Sequence, residues 1–291
     1  MREKVLILGA GGLFGRNALR AFQAAGWDVR AYKRGTDMAE AAKGVQLIVN
    51  AMNPQNYHNW TGLVPAITEQ VIGAAKSSGA TILFPGNVYV YGKEPGPWNA
   101  ATPHRPVSRK GAVRVAAEAR YRAAAAEGLR VIILRGGDFI DADAPGSILR
   151  LVTLKHLARN RLSALAELDV PRSFANLPDM ARAAVALAER RADLPAFADI
   201  PFAGLTFSTR DLAREIERQT GRPPQVTAFP WWLLRLTAPF WELARELTEM
   251  RYLYRLPHSL DPAPLAAILP EFRQASLAEV VSAHLPPLRA G

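Results

Sequence analysis

Three glycines near the start of the chain have the spacing of a phosphate-binding turn. Gly9, Gly12 and Gly15 follow the apolar run Lys4–Leu8 and open a helical pattern. Glycine lets the backbone reach positive φ and approach a pyrophosphate closely, and a helix N-terminus offers free N–H groups to the phosphate oxygens. A strand, a turn and a helix in this order are what a dinucleotide fingerprint requires. The residues expected to bind the dinucleotide here are Gly9, Gly12, Leu13, Phe14 and Gly15.

Two cations, Lys33 and Arg34, directly follow the second strand pattern, Asp28–Tyr32. The adenosine ribose of a dinucleotide binds at this corner, where an acidic residue favours NAD and a basic residue accommodates the 2′-phosphate of NADP. Arginine binds a phosphate in bidentate fashion. We therefore expect NADP as the cofactor and NAD as the less favoured one, with a solvated basic turn as the alternative interpretation.

The loop after the third strand pattern, Asn53–Trp60, is rich in polar and aromatic side chains. In a parallel α/β sheet this loop lies at the carboxyl ends of the strands, where ligands bind. His58 is the conventional acid or base of this neighbourhood, although a surface histidine is the alternative. The residues expected to bind substrate are Asn53, Tyr57 and His58.

The elements that must position these residues alternate between strand and helix patterns. The expected strands are Lys4–Leu8, Asp28–Tyr32, Gln46–Ala51, Ala80–Phe84 and Arg130–Leu134, and the expected helices are Gly12–Ala25, Pro65–Lys76 and Lys110–Ala126. Such alternation predicts an α/β fold, a Rossmann-type doubly wound parallel sheet covered on both faces. Residues 1–138 form the predicted dinucleotide-binding domain.

The alternation fades in residues 139–291, which we interpret as a smaller, mixed or helical substrate-binding and C-terminal region interleaved with the first domain. Its expected helices are Ile148–Leu157, Leu177–Glu189 and Thr209–Thr220. The segment Trp231–Trp241 carries Trp231, Trp232, Phe240 and Trp241 at helical spacing. We expect these rings to pack against the body of the protein, with a protein or membrane surface as the alternative.

The composition narrows the class of protein. With 49% apolar and 21% charged residues the chain is ordinary for a globular protein, and the absence of cysteine excludes disulfides and thiolate sites. The formal charge of +10 is scattered along amphipathic helices, which favours a solvated surface, with no nucleic-acid motif. The histidines lack metal-ligand spacing, so no metal is expected. No apolar run is long enough for a signal peptide or a membrane span, and we expect a cytoplasmic protein.

Further motifs carry a resemblance to a known family. Asn50-Ala51 ends the third strand pattern, Val90-Tyr91-Gly92 follows the fourth, and Leu177-Pro178-Asp179-Met180-Ala181 starts a helix. Together with the Gly-x-x-Gly-x-x-Gly turn and Arg135-Gly136-Gly137-Asp138-Phe139, these motifs resemble the NAD(P)-dependent epimerase/dehydratase family of extended or atypical short-chain dehydrogenases. The resemblance implies that Asn50 and Ala51 lie beside the cofactor, that the substrate is a small molecule, and that a homodimer is possible.

The resemblance also locates the positions where that family does its chemistry. The family uses a Ser or Thr and a Tyr-x-x-x-Lys pair, in which the tyrosine exchanges a proton with the substrate and the lysine lowers its pKa. In this chain Asn87 stands at the Ser position, Lys110 at the tyrosine position and Arg114 at the lysine position. Tyr91, or its neighbour Tyr89, is a candidate substitute acid, with a packed aromatic ring as the alternative.

These residues support two functions. The first is an NADP-preferring, epimerase/dehydratase-like oxidoreductase, acting as a reductase or epimerase on an unidentified small substrate. The second is a catalytically impaired NADPH-binding sensor or regulator that acts through a protein partner, which the replaced catalytic positions favour. A tryptophan-bearing assembly factor is a further alternative.

Overall fold

The computed structural model describes residues 2–54, 58–144 and 146–285. The strands are β1 (Lys4–Leu8), β2 (Asp28–Ala31), β3 (Leu47–Asn50), β4 (Thr81–Gly86), β5 (Val131–Arg135), β6 (Asp138–Ile140), β7 (Arg161–Ala164), β8 (Arg172–Asn176), β9 (Phe197–Pro201), β10 (Leu205–Phe207) and β11 (Gln225–Ala228). The helices of the first half are α1 (Leu13–Ala24), α2 (Met38–Ala41), α3 (Trp60–Ser78) and α4 (Arg109–Ala126). Those that follow are α5 (Leu177–Glu189), α6 (Thr209–Thr220), α7 (Trp231–Thr237), α8 (Glu242–Glu249), α9 (Arg251–Arg255), α10 (Ala263–Ile268) and α11 (Leu277–His284).

Six strands form the central sheet, in the order β2-β1-β3-β4-β5-β9, with every neighbouring pair parallel. The strands β3 and β5 are buried along their whole length, because a parallel sheet covered on both faces buries both sides of its strands. The register sets Val5 opposite both Val29 and Leu47. The expected Rossmann-type parallel sheet is confirmed, and the five strands predicted in its first half all form, within one or two residues of their expected ends.

Helices cover both faces of this sheet. On one face, α1 and α5 pack together through buried apolar residues such as Phe14, Phe22 and Leu187. On the other face, α3 and α4 pack through residues such as Val71 and Tyr121. The doubly wound arrangement is therefore confirmed.

The residues beyond 138 contribute to three sheets. The strand β9 lies beside β5 in the central sheet, β10, β8 and β6 form a mixed three-stranded sheet, and β7 pairs with β11 in parallel. The division of the chain at residue 138 stays a prediction. No helix among the described residues is both long and apolar enough to cross a membrane.

Two expectations for the C-terminal region were wrong. The segment Ile148–Leu157 is not one α-helix: it holds a π-helical turn at Leu149–Thr153 and a separate 3-10 turn at Leu157–Arg159. The chain reverses there to enter β7, with Asn160 in the left-handed region at a φ of 54°. The rings of Trp231–Trp241 also do not all pack inward. Trp231 is buried, whereas Trp232 is exposed because the short α7 turns only one side toward the body. Phe240 and Trp241, which lie beyond the end of α7, are exposed as well.

Candidate dinucleotide site

The glycine turn is shaped by close approaches of the backbone to itself. Gly9 has a φ of +78°, and a Cβ there would lie 2.8 Å from the carbonyl oxygen of Ala51. The amide of Gly12 donates to the carbonyl of Gly9 at 2.9 Å. A Cβ on Gly15 would lie 2.1 Å from that same carbonyl oxygen, so this position admits only glycine. These contacts hold the turn tightly against the start of α1.

The first turn of α1 is left without a side-chain cap. Gly12 precedes the helix with extended backbone, a φ of −78° and a ψ of 174°, and provides no capping side chain for the first amides. The first N–H groups of a helix have no partner within the helix, and they carry the positive end of its dipole. Phe14 is buried in the core and Leu13 packs partly against it, which fixes the orientation of these amides. The Nε atom of Arg16, in the same turn, is buried without a hydrogen-bond partner among the described residues.

Asn50 and Ala51 support the turn from the end of β3. The side-chain amide of Asn50 donates to the Tyr121 hydroxyl at 2.9 Å, and its oxygen accepts from the Met52 amide at 3.2 Å. Burial raises the pKa of Tyr121 to about 12, so its hydroxyl stays protonated at neutral pH. The side chain of Asn50 therefore connects the loop after β3 to α4, while the Ala51 carbonyl lies against the glycine turn.

A cleft of about 730 Å³ lies at the carboxyl ends of β2 and β3. Its walls come from the loop after β3, from α3 and from the start of α8. The lining residues are Arg34, Met52, Asn53, Pro54, His58, Leu63, Ala66, Ile67, Gln70, Trp241, Glu242 and Leu243. Apolar walls with a few polar side chains are typical of a small-molecule site.

The two cations predicted to select the cofactor lie at this end of the sheet. Lys33 and Arg34 follow β2 after Tyr32, and both are exposed. The side chain of Arg34 lines the cleft. The carbonyl of Lys33 accepts a hydrogen bond from the Thr36 hydroxyl at 2.7 Å, which closes the turn that presents both cations.

Two of the expected substrate-binding residues line the same cleft, and Tyr57 lies outside the described residues. His58 approaches the carboxylate of Glu242 with its Nδ1 atom at 3.0 Å. This contact lowers the pKa of Glu242. The side-chain oxygen of Asn53 accepts from the guanidinium of Arg114 at 3.0 Å. Asn53 and His58 thus lie on the same side as Arg34, near the ends of β2 and β3.

Lys110 is held by carboxylates from α8. Ser108 caps α4, and its hydroxyl accepts from the Gly111 amide at 3.0 Å, so Lys110 lies in the first turn of that helix. Its side chain is only 2% exposed. The ammonium group contacts Glu249 Oε2 at 2.7 Å, the Glu246 carbonyl at 3.0 Å and the Glu246 carboxylate. Burial by itself raises the pKa of Glu249, but the bonds from Lys110 and the Arg109 backbone outweigh it and lower that pKa. Since an ammonium has three N–H donors, these three acceptors match its capacity.

Arg114 lies one turn further along α4 and is also buried. Its guanidinium lies 4.8 Å from the ring of Trp60 and 5.2 Å from the ring of Phe84. Together with the bond to Asn53, these contacts fix the loop after β3 against α4. The side chain positions the floor of the cleft, and an arginine is no base near neutral pH.

Asn87 and Tyr91 occupy the turn after β4. The side-chain oxygen of Asn87 accepts from the Tyr89 amide at 3.0 Å, and its carbonyl accepts from Arg135 at 2.7 Å. The Tyr91 hydroxyl donates to the Asn99 carbonyl at 3.2 Å, with the ring fully buried against Trp98. Burial raises the pKa of Tyr91 well above its usual value. This environment is that of a packed aromatic ring, the alternative that the sequence left open.

A buried ion network beneath this turn was not foreseen from the sequence. Arg135 is completely buried and donates to both oxygens of Glu118 and both oxygens of Asp199. Burial opposes the charge of Arg135, but the two carboxylates outweigh it and raise its pKa. His104, Glu118 and Asp199 lie close enough together to suggest a metal site. Arg135 already binds both carboxylates, so the group is an arginine-centred ion network. The motif after β5 contained Arg135, but only the fold brings Glu118 and Asp199 to it.

Comparison with known proteins gave no match to a family model and none to a curated sequence. Solved structures do match over almost the whole chain. A UDP-glucuronic acid 4-epimerase from Bacillus cereus, in complex with UDP-glucuronic acid and NAD, is 14% identical at a TM-score of 0.76, covering 97% of each chain. A putative epimerase from Burkholderia cenocepacia is 19% identical at 0.76, covering 97% of this chain and 98% of its own. An NAD-dependent NDP-hexosamine 5,6-dehydratase involved in tunicamycin biosynthesis is 17% identical at 0.74, covering 97% and 96%.

These similarities extend through the C-terminal half as well as the Rossmann sheet, so the resemblance read from the motifs is confirmed at the level of the fold. The chain has the fold of the NAD-dependent nucleotide-sugar epimerases and dehydratases, the extended short-chain dehydrogenases.

Proposed function

We propose that this chain binds NADP(H) through the Gly9–Gly15 turn and the cleft beside Arg34. The turn has the close backbone approaches that a pyrophosphate needs, because a Cβ at Gly9 or Gly15 would overlap backbone atoms and one at Gly12 would lie 3.2 Å from the Gly9 carbonyl oxygen. The uncapped amides of α1 and the buried Nε of Arg16 supply donors for an anion. The residues present therefore fit a nicotinamide dinucleotide.

The preference for NADP is carried by one observation: the cation after β2 lines the cleft. Arg34 stands at the corner where the adenosine ribose of a dinucleotide binds, and β2 is followed by Tyr32, Lys33 and Arg34 rather than by an acidic residue. The neighbouring walls at Met52, Pro54 and Ile67 are apolar, which suits the adenine ring. Two of the solved structures named above, the UDP-glucuronic acid 4-epimerase and the NDP-hexosamine 5,6-dehydratase, hold or depend on NAD, so an NADP preference would distinguish this chain from them.

Bound NADPH would supply a hydride to a substrate carbon. In the usual mechanism of the fold a tyrosine supplies the accompanying proton. Here the corresponding Lys110 is bound by Glu246 and Glu249, and Tyr91 donates to a backbone carbonyl. We propose that neither residue transfers this proton. Asn87 has a side-chain NH₂ group without a partner among the described residues, and it would orient a substrate oxygen by a hydrogen bond.

Two biological roles remain for such a protein, and each has an observation in its favour. A reductase or epimerase acting on a small substrate is supported by the similarity to enzymes over the full chain, among them one that binds UDP-glucuronic acid. A sensor that reports NADPH through a partner is supported by the ion pairs of Lys110 with Glu246 and Glu249, which join α8 to α4, the helix whose Arg114 binds Asn53 of the cleft. We favour the sensor, because Glu246 and Glu249 bind Lys110, the residue at the position where the family has its proton-donating tyrosine.

The two roles are separated by following NADPH absorbance with a panel of carbonyl substrates that includes UDP-sugars. If the protein is a sensor, we expect no NADPH oxidation, and we expect bound NADPH to slow the hydrogen exchange of the backbone amides of α8. NADPH oxidation that survives Lys110→Met would establish an enzyme with another proton donor. A homodimer is expected in either case, and analytical ultracentrifugation tests it.

A further inference from the structure

Exposed apolar side chains are concentrated in one part of the molecule. Eight large hydrophobic side chains are exposed among the described residues, and six of them lie in residues 146–166 and 222–241. We call these two segments the C-terminal lobe. The six residues are Leu151, Trp232, Leu233, Leu236, Phe240 and Trp241. Phe240 is 95% exposed, so its ring is almost entirely open to solvent. Large exposed apolar patches mark surfaces that bind a protein, a membrane or a ligand.

The two segments of the lobe lie against each other. The strands β7 and β11 pair in parallel, with Leu162 opposite Val226. The indole N–H of Trp231 donates to the Leu165 carbonyl at 2.8 Å, and Leu165, Trp231 and Tyr254 share a small buried core. Because Trp231 anchors α7 firmly, the next residue, Trp232, turns outward and is 63% exposed.

The lobe is also basic throughout. Neither segment contains an aspartate or glutamate: no acidic residue occurs between Asp143 and Glu167, or between Glu217 and Glu242. Its exposed cations are Arg150, Lys155, Arg159, Arg161, Arg222 and Arg235. Within the described ranges none of the six lies at ion-pair distance from a carboxylate. Arginines elsewhere on the surface are commonly paired, as Arg120 is with Glu69.

The exposed apolar side chains and the cations without a carboxylate partner together favour one kind of binding partner. A second copy of the lobe would bring its own cations against the first set, which disfavours self-association. Tryptophan and phenylalanine beside unpaired arginine and lysine are typical of segments that lie at the interface of a membrane, where the rings enter the headgroup region and the cations meet lipid phosphates.

We propose that the C-terminal lobe binds peripherally to an anionic lipid bilayer. Trp232, Leu236 and Phe240 enter the headgroup region, and the exposed cations of the lobe contact the lipid phosphates. This surface is distinct from the cofactor turn, and it adjoins the cleft through Trp241, whose side chain both lines the cleft and is exposed.

Flotation with vesicles tests the proposal on the full-length protein. Vesicles of phosphatidylcholine and phosphatidylglycerol in equal parts should carry the protein upward, and phosphatidylcholine alone should carry far less. Phe240→Ser and Trp232→Ser, both exposed and therefore mild for folding, should each weaken binding about tenfold or more. Lys155→Gln and Arg159→Gln should each weaken binding to the anionic vesicles about fivefold, and added salt should also weaken that binding.

Two matched variants serve as controls. Val107→Ser removes an exposed apolar side chain outside the lobe, and Lys93→Gln removes an exposed cation outside it, so both should bind vesicles like the wild type. Quenching of tryptophan fluorescence by brominated lipid would support insertion. Three results would overturn the proposal: no flotation with anionic vesicles, equal loss of binding in lobe and control variants, or a lipid-free dimer that Phe240→Ser dissociates. The last result would make the lobe a self-association surface.

Discussion

The substitution Gly12→Ala separates cofactor binding from the stability of the turn. Gly12 has a φ of −78°, which alanine adopts freely, and an added Cβ would lie 3.2 Å from the Gly9 carbonyl oxygen. That contact is tight and needs a shift of a few tenths of an ångström, so we expect a loss of about 1 kcal/mol in the free energy of unfolding. The same methyl group would stand where the pyrophosphate approaches the backbone.

The loss of affinity follows from the hydrogen bonds that the methyl group displaces. A hydrogen bond to a charged group contributes about 1.5–3 kcal/mol, so losing one N–H bond to a phosphate should raise the Kd for NADPH about 10- to 150-fold. NADPH fluorescence titration measures the Kd, and urea denaturation measures stability. Gly11→Ala is the matched control, because a Cβ at Gly11 meets nothing within 4 Å and should change neither quantity strongly. An unchanged Kd for folded Gly12→Ala would refute binding at this turn.

Three further predictions concern the cations and the buried histidine. Arg34→Gln should raise the Kd for NADPH about 10- to 150-fold and change the Kd for NADH less than about twofold, because only NADP carries the 2′-phosphate; parallel titrations check it, and an equal loss for both cofactors would contradict it. Lys110→Met should lower the free energy of unfolding by about 3 kcal/mol, since two mostly buried carboxylates lose their cation. Lys76→Met, which breaks an exposed pair with Glu127, should lower the free energy of unfolding by less than about 1 kcal/mol. Equal losses in the two variants would show that the ion pairs of Lys110 contribute no more to stability than an exposed pair does. Burial lowers the pKa of His258, so the unfolded chain takes up this proton at a higher pH than the folded chain does; stability should be complete above about pH 6.5 and fall toward pH 5, and denaturation curves of His258→Asn should show a shallower decline.

Most of the sheet and its glycine turn were predictable from the sequence, because both rest on local patterns. Short apolar runs ending at glycine predict buried parallel strands, and the backbone approaches closely at Gly9, Gly12 and Gly15, as a tight strand-to-helix turn requires. That these glycines bind a cofactor stays a prediction. The segment Ile148–Leu157 failed because its apolar spacing suits a helix, whereas the need to turn back into β7 decides its conformation. Periodicity does not contain that tertiary requirement.

The environments of the replaced catalytic positions were not predictable. The sequence identifies Lys110 and Arg114 on α4, but the carboxylates that bind Lys110 come from α8, more than 130 residues later. Likewise Arg135 meets Glu118 and Asp199 only through the parallel pairing of β5 with β9 and the packing of α4. Pairings of this kind depend on the assembled fold.

The central claim is that this chain has a working NADP(H) site. Isothermal titration of NADPH and NADH into the wild-type protein, at the same ionic strength, tests it most directly. The account predicts one-site binding of NADPH, with NADH bound at least about tenfold more weakly because it offers Arg34 no 2′-phosphate. Equal affinity for the two cofactors would contradict the assignment of Arg34, and no binding of either would contradict the assignment of the glycine turn.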